Sequence, residues 1–280
     1  MNNNKAIKIE KISQEVKKNG FFLVEDWLTV EHQEKISEYI KKYKPEKGTN
    51  ESLACTLNKE FIIEFLKLNF KKISLSLLLK DLAKKLQLKK IAEQIFDHDA
   101  QVIRTDFYYN KISNAPVLDW HCDNAYSGKE NVKNFLHPDD FSIKFFFYLS
   151  DVYPDNGCLS YIPKSNIITY VLREAIYKKE IPYSPYWSLK DLRDQFKSEN
   201  NVKFLNKKIT KEDLDIFMKH SSDALNKSIK TNKFDFSLKK GGAIIFDESG
   251  VHRGSSTKFS DRLVLRYFYK KVWCLNTLKI

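Results

Sequence analysis

The stretch Phe141 to Ser150, with three consecutive phenylalanines at its centre, constrains this chain more than any other. It is β-prone and apolar on both faces of an extended backbone except at Lys144, so it reads as a fully buried strand. Glu60 to about Ile95 supplies a packed helical layer to buttress such a sheet. Ile62, Phe65, Leu66, Phe70 and Ile73 recur there at helical spacing, and the length predicts a break near 68–74 or 86–90. Upstream, Lys5 to Asn19 forms an amphipathic helix ended by Asn19-Gly20, and Gly20 to Val24 is a short buried strand. Thr29 caps a second helix that closes near Tyr43, and 45–60 is loop.

From Gln101 the texture changes to short strands separated by turn signals. The strands are Val102 to Tyr109, Val117 to Asp123, Phe141 to Ser150 and Cys158 to Ile162. Lys111 to Pro116 is a loop, 127–140 is a loop near the site mouth, and Pro163 to Asn166 closes a hairpin. Residues 167–232 are polar, Lys-rich and mostly helical, as in Thr210 to Lys219; an insertion of this kind forms a lid or a substrate wall. Strand texture resumes at Phe234 to Leu238 and Ala243 to Phe246, followed by Val251-His252-Arg253-Gly254. Arg262 to Tyr269 then alternates, with Arg262, Val264, Arg266 and Phe268 on one face. The expected architecture is mainly β with helical buttresses (α+β), a double-stranded β-helix or cupin-like jelly roll in one domain spanning 1–280. Within it, 1–100 is an N-terminal helical layer with a short strand, 101–166 and 233–272 are the jelly-roll core, and 167–232 is the insertion.

Composition narrows the class. No apolar run approaches the roughly 20 residues of a membrane helix, and the N-terminus lacks a signal-peptide core, so the expectation is a soluble, cytoplasmic chain. Cys55, Cys122, Cys158 and Cys274 are far apart with no C-x-x-C pair, which predicts free thiols and neither a zinc knuckle nor a disulfide framework. The formal charge of +12 invites a nucleic-acid reading, but the lysines are spread along helical faces without an arginine–aromatic cluster. Solvated basic faces are the plainer account, and an anionic substrate is the next.

His121-Cys122-Asp123 is the stretch with chemistry in it. In an extended segment a His and an Asp two positions apart share a face, bringing one imidazole nitrogen and one carboxylate into a small volume. A second His from a distant strand would complete a 2-His-1-carboxylate triad, which leaves three metal positions open. Alone the pair is weak, and a buried, hydrogen-bonded histidine beside an exposed aspartate is the commoner arrangement. His252, late in the chain, taken by itself is more often a surface or turn histidine than a ligand.

The order of features, however, resembles the phytanoyl-CoA dioxygenase family of Fe(II)/2-oxoglutarate oxygenases over nearly the whole chain. Gly20-Phe21-Phe22-Leu23-Val24 resembles its "Gly-Phe-apolar" strand, and His121 and Asp123 its H-x-D. Leu149-Ser150-Asp151, Asn156-Gly157-Cys158-Leu159 and Pro163-Lys164-Ser165-Asn166 are similar to its "Leu-x-Asp … Asn-Gly-x-Leu … Pro-Gly-Ser-His" hairpin, departing at Lys164 for Gly and Asn166 for His. Gly241-Gly242-Ala243-Ile244-Ile245-Phe246, His252 and Arg262 resemble the distal "Gly-Asp-apolar-apolar-Phe … His-x-x-Gly … Arg" block, with Gly242 replacing the usual Asp.

That resemblance implies that His121, Asp123 and His252 hold Fe(II) and leave room for 2-oxoglutarate and O2. It implies an arginine on the distal carboxylate of 2-oxoglutarate. Arg262, ten residues past His252, is the match, and Arg266 on the same strand face is its rival. Phe146 stands where the family often has a Trp near the co-substrate. Lys144, on the same face, either contacts an anionic group or snorkels at an edge. Ser255 and Ser256 offer hydroxyls to the co-substrate, and Asn124 and Tyr126 are candidate substrate contacts. Trp120 and Cys122 are expected to face packing. The implied reaction consumes O2 and 2-oxoglutarate, releases succinate and CO2, and hydroxylates an unactivated C–H of a small molecule; the lysines of 127–140 and 167–232, among them Lys129, Lys133, Lys178 and Lys179, favour an anionic one. Asp123 argues against halogenation, since related halogenases have a small residue there. The alternatives are an oxygenase acting on a nucleic acid or protein, and a catalytically inactive jelly-roll binding protein.

Overall fold

The structure, a computed structural model, describes residues 9–41, 51–54, 70–126, 137–182, 184–226 and 233–272. In chain order the helices are α1 (Ile9–Asn19), α2 (Val30–Lys41), α3 (Phe70–Lys85), α4 (Leu88–Phe96), α5 (Ser165–Tyr177), α6 (Leu189–Asp194), α7 (Glu199–Leu205) and α8 (Lys211–Leu225). The strands are β1 (Phe21–Val24), β2 (Glu51–Ala54), β3 (Ala100–Asn110), β4 (Ser113–His121), β5 (Ile143–Tyr148), β6 (Leu159–Tyr161), β7 (Ala243–Asp247), β8 (His252–Thr257) and β9 (Arg262–Lys271). They form a major sheet in the order β1-β7-β5-β9-β3-β2 and a minor sheet in the order β4-β8-β6, antiparallel throughout. This is an α+β jelly roll.

Alternation divides the core. On β5, Ile143, Phe145 and Phe147 face outward with Ile245 of β7 and Leu265 and Tyr267 of β9, and pack on helices α1 to α4 through Ile12, Val16, Leu79 and Ile91. Phe146 and Tyr148 face inward among Ile244, Phe246 and Val264. Each fully buried phenylalanine is worth roughly 1.5–3 kcal/mol of transfer free energy, so this one strand ties the helical layer to the barrel. A third cluster holds helices α5 to α8 against Trp120, Cys122 and Phe234 on the outer side of the minor sheet. Trp120 and Cys122 thus alternate away from His121, into packing.

Several boundaries differ from the sequence expectation, each for a physical reason. Glu51–Ala54, expected as loop, pairs with β3. β4 begins at Ser113 rather than Val117 and tolerates Pro116 because it is the edge strand of the minor sheet, where a missing N–H goes unnoticed. The same strand ends at His121, so Asp123 lies in a turn and not on the strand. Pro163 to Asn166 does not close a hairpin; it leads into α5, with Lys164 left-handed at φ 64° ahead of the first helical residue. A glycine suits that backbone at no steric cost, which accounts physically for the family's residue at this departure. Phe234 to Leu238 makes two isolated bridges, Asp235 to Ser160 and Leu238 to Val152, instead of a ladder. The helical run breaks at Leu86-Gln87, where Gln87 takes φ 54°. Thr29 Oγ1 accepts the His32 N–H at 3.3 Å, the expected cap. Residues 5–8, the end of the second helix near Tyr43, Ile62, Phe65, Leu66, and Lys129 and Lys133 of the 127–136 stretch lie outside the described residues. Among the described residues no helix is long and apolar enough to cross a membrane.

Candidate metal centre

The antiparallel register of β4 and β8 puts His121 directly opposite His252, after a bulge between Leu118 and His121 that re-aims the last residue of the strand. The ring centroids are 4.4 Å apart. Beyond His121 the chain leaves the ladder: the Cys122 N–H donates to Trp187 O (2.8 Å) and the Asp123 N–H to Glu248 O (3.1 Å). Asn124 then turns at φ 53°, a left-handed conformation that Asn tolerates well. This turn brings the Asp123 carboxylate back between the two rings. Its Oδ1 is 3.5 Å from His121 Nε2, and its Oδ2 is 3.3 Å from His252 Nε2. The three ligating atoms lie within 4.8 Å of one another.

Each imidazole is oriented from behind. His121 Nδ1 donates to Asp119 O (2.6 Å) and His252 Nδ1 to Gly250 O (2.9 Å). A carbonyl accepts only, so the proton is on Nδ1 and the Nε2 lone pair faces inward, as a metal ligand requires. Gly250 has no space for a side chain: a Cβ would sit 1.8 Å from the Tyr161 hydroxyl. Burial and the neighbouring His121 hold the His252 imidazolium pKa below its ordinary value, favouring the neutral form that binds metal. Burial would raise the Asp123 carboxyl, but Lys144 and the two histidines outweigh it and keep it well below the usual carboxylate range.

Lys144 is neither at an edge nor snorkelling. β5 is a central strand, and Lys144 is 8% exposed with its ammonium paired to Asp123 Oδ2 and to Glu248 Oε2 (3.0 Å). Burial pulls its pKa down, yet the two carboxylates win and raise it. Glu248 in turn accepts the Ser142 N–H (2.7 Å) and the Asn124 amide. Arg173, fully buried on α5, donates to Asp123 O (3.3 Å) and Pro138 O (3.2 Å), linking the helical insertion to the turn. Trp187 lies 5.3 Å from the His121 ring. Glu248, Arg173 and Trp187 were not foreseen. The first showed only as an acidic turn, and nothing in the helical pattern of α5 marks an arginine that points inward.

The two candidate arginines of β9 have different surroundings. Arg266 makes a two-pronged ion pair with Asp106 of β3 (2.6 and 2.9 Å) directly across the ladder, and Arg104 shares that carboxylate. Arg262 is 3% exposed; its Nη1 reaches Asn110 Oδ1 (3.3 Å), while its Nε has no hydrogen-bond partner. Among the described residues no carboxylate pairs with it. Gly157, at φ 74°, makes its space, since a Cβ there would meet Arg262 Cδ at 2.7 Å. Phe146 packs edge-on to Phe246 with the Arg266 guanidinium 5.6 Å from its ring. Ser255 alternates away from His252 and lies 3.3 Å from Cys158 Sγ, whereas Gly254 is the β8 residue facing Arg262. Ser256 reaches Asp155 at 3.5 Å. Asn124 is in the ligand turn itself, with its amide on Glu248, and Tyr126 lies beyond it; the Tyr126 carbonyl accepts the Tyr186 N–H (2.9 Å).

Two imidazole nitrogens and one carboxylate converging within 4.8 Å fit a first-row divalent ion of the non-haem iron type. A buried guanidinium without a counter-charge fits a carboxylate ligand. The fold and this donor set define an iron- and 2-oxoglutarate-dependent oxygenase class. The phytanoyl-CoA dioxygenase (PhyH) family matches residues 16–262, and the chain belongs to it. No curated protein matches the sequence. Solved structures share the fold at low identity. The epimerase SnoN in complex with Fe3+, α-ketoglutarate and nogalamycin RO has a TM-score of 0.53 and 12% identity over 94% of this chain and 83% of its own. HygX from Streptomyces hygroscopicus with nickel and 2-oxoglutarate bound has 0.55 and 13% over 94% and 87%. EctD from S. alaskensis has 0.52 and 12% over 98% and 80%.

Proposed function

We propose that this protein hydroxylates an unactivated C–H bond of a small, anionic metabolite, using iron(II), 2-oxoglutarate and dioxygen. The observation that carries the proposal is the convergence of His121, Asp123 and His252 ligand atoms within 4.8 Å. When bound, iron and 2-oxoglutarate supply the oxidising power: substrate, O2 and 2-oxoglutarate are consumed, and alcohol, succinate and CO2 are formed. His121 and His252 present fixed Nε2 lone pairs, and Asp123 presents a carboxylate held by Lys144. Arg262, rather than Arg266, holds the distal carboxylate of 2-oxoglutarate, because Arg266 is already committed to Asp106. The net charge of +12 favours an anionic substrate through long-range attraction. Residues of the 167–232 segment, with Trp187 beside His121, form the substrate wall.

Anaerobic addition of Fe(II) and 2-oxoglutarate to the apo-protein is expected to give a visible charge-transfer band, and aeration to release succinate. Arg262→Gln is expected to weaken 2-oxoglutarate binding about thirtyfold or more, the loss of a buried charge-assisted pair, and Arg266→Gln far less. Absence of the band in the wild-type protein overturns the proposal. With a metabolite library, a product gaining one oxygen supports hydroxylation; loss of two hydrogens or an unchanged mass replaces it with desaturation, ring closure or epimerisation.

A further inference from the structure

We infer that Lys144 and Glu248 are positioning residues: a charge-neutral pair that aims Asp123 and sets the relative strength with which the site holds a divalent cation and a dianion. This deepens the proposed function and rests on it. Lys144 is buried on a central strand in surroundings that are otherwise aromatic, its Nζ 5.9 Å from the Phe246 ring centroid and 5.2 Å from that of Phe268. A lysine there costs several kcal/mol in desolvation unless it is paired, and an apolar residue of similar length would pack without that cost. Packing alone therefore does not explain it.

The pairing is directional. Lys144 takes Asp123 Oδ2 and Glu248 Oε2, and Glu248 is fixed independently of Lys144 by three further bonds. The Ser142 N–H and the Asn124 amide donate to its Oε1, and its backbone O accepts the Asp123 N–H. Glu248 thus grips the ligand turn on both sides of Asp123, and Lys144 closes the ring through the ligand itself. One oxygen of Asp123 is tied down by an ammonium while the carboxylate stays beside both Nε2 atoms.

Lys144 and Glu248 sum to zero charge. With two neutral imidazoles, a divalent cation and Asp123, the metal end of the site then carries one net positive charge, which together with Arg262 matches the incoming dianion. Removing either partner shifts this by one unit, in opposite directions. Lys144→Met leaves an extra buried negative charge: Mn(II) is expected to bind the apo-protein about tenfold more tightly, and 2-oxoglutarate to bind the metal-loaded protein about tenfold more weakly. Glu248→Gln, close in shape, is expected to do the reverse, weakening Mn(II) and tightening 2-oxoglutarate. The double variant restores the charge and is expected to bring both constants back toward wild type, the two opposite single effects cancelling.

Mn(II) binding by calorimetry and 2-oxoglutarate binding by the charge-transfer band read both constants, with circular dichroism checking the fold. A purely structural pair would weaken both ligands in both single variants, and that result overturns the inference. If Lys144→Met fails to fold, Glu248→Gln decides alone: weaker metal with tighter 2-oxoglutarate supports the pair, and loss of both refutes it. Wild-type protein that binds neither ligand refutes the proposed function instead, so the two failures are distinguishable.

Discussion

On β5, Ile143, Phe145 and Phe147 turn outward into the helical layer, while Lys144, Phe146 and Tyr148 turn inward to the barrel. Both faces are buried, yet they are built on different terms. The outer face is apolar throughout and loses only contacts when it is trimmed. The inner face of the major sheet carries Lys144, Arg262, Arg266 and Asp106, so its cohesion depends on which charges have partners. Arg266 is matched by Asp106, Lys144 by two carboxylates, and Arg262 by none among the described residues. The comparison teaches that burial by itself does not mark a structural residue. The unmatched charge is the one to which the proposed function assigns the co-substrate.

Three substitutions test the contrast. The largest effect on stability is expected from Phe147→Ala on the outer face, about 3–5 kcal/mol by denaturant unfolding, with Mn(II) affinity of the folded protein unchanged. A change in affinity would show the faces to be coupled. Asp106→Asn on the inner face strands the Arg266 guanidinium and is expected to cost about 3 kcal/mol. If Asp106→Asn is neutral, the inner charges are not held by pairing. The third effect, nil at low pH and comparable with the second only near neutral pH, concerns Asp247, a buried carboxyl held by the Ser249 N–H (2.8 Å) and hydroxyl (2.6 Å), which burial pushes up to about 6. Its folded pKa lies above the unfolded value of about 3.9, so the folded state binds the proton more tightly. Asp247 therefore costs no stability below about pH 4 and progressively more as pH rises toward 6, up to about 3 kcal/mol. Asp247→Asn is expected to remove that fall, seen as a gap between variant and wild type that widens from about pH 4 to pH 7. A gap that does not vary with pH would show the carboxyl to be ordinary.

Much of this was legible along the chain. Runs of β-branched and aromatic residues located β3, β5 and β7, and alternation located β9 and placed Arg262 and Arg266 on one face. The two arginines could not be told apart from sequence because the residue that separates them, Asp106, lies 160 positions away on β3. His121 and Asp123 were visible as a spacing, but not for the reason the spacing suggested. A turn at Asn124, and not a continuing strand, brings Asp123 to the metal side. Glu248 read as one more acidic residue in a turn, since its importance comes from the N–H groups of Ser142 and Asp123 meeting it from elsewhere. Long-range register is what a local pattern leaves out.

The direct pairing of His121 with His252 has a bearing on how the chain matures. Side chains alternate along β4 and β8, so sliding one strand past the other by a single position would send one imidazole to the wrong side. On the proposed function, only molecules that have zipped these two segments in the native alignment can capture the ion. Metal uptake during refolding therefore counts correctly assembled barrels, a use that needs no knowledge of what the enzyme oxidises.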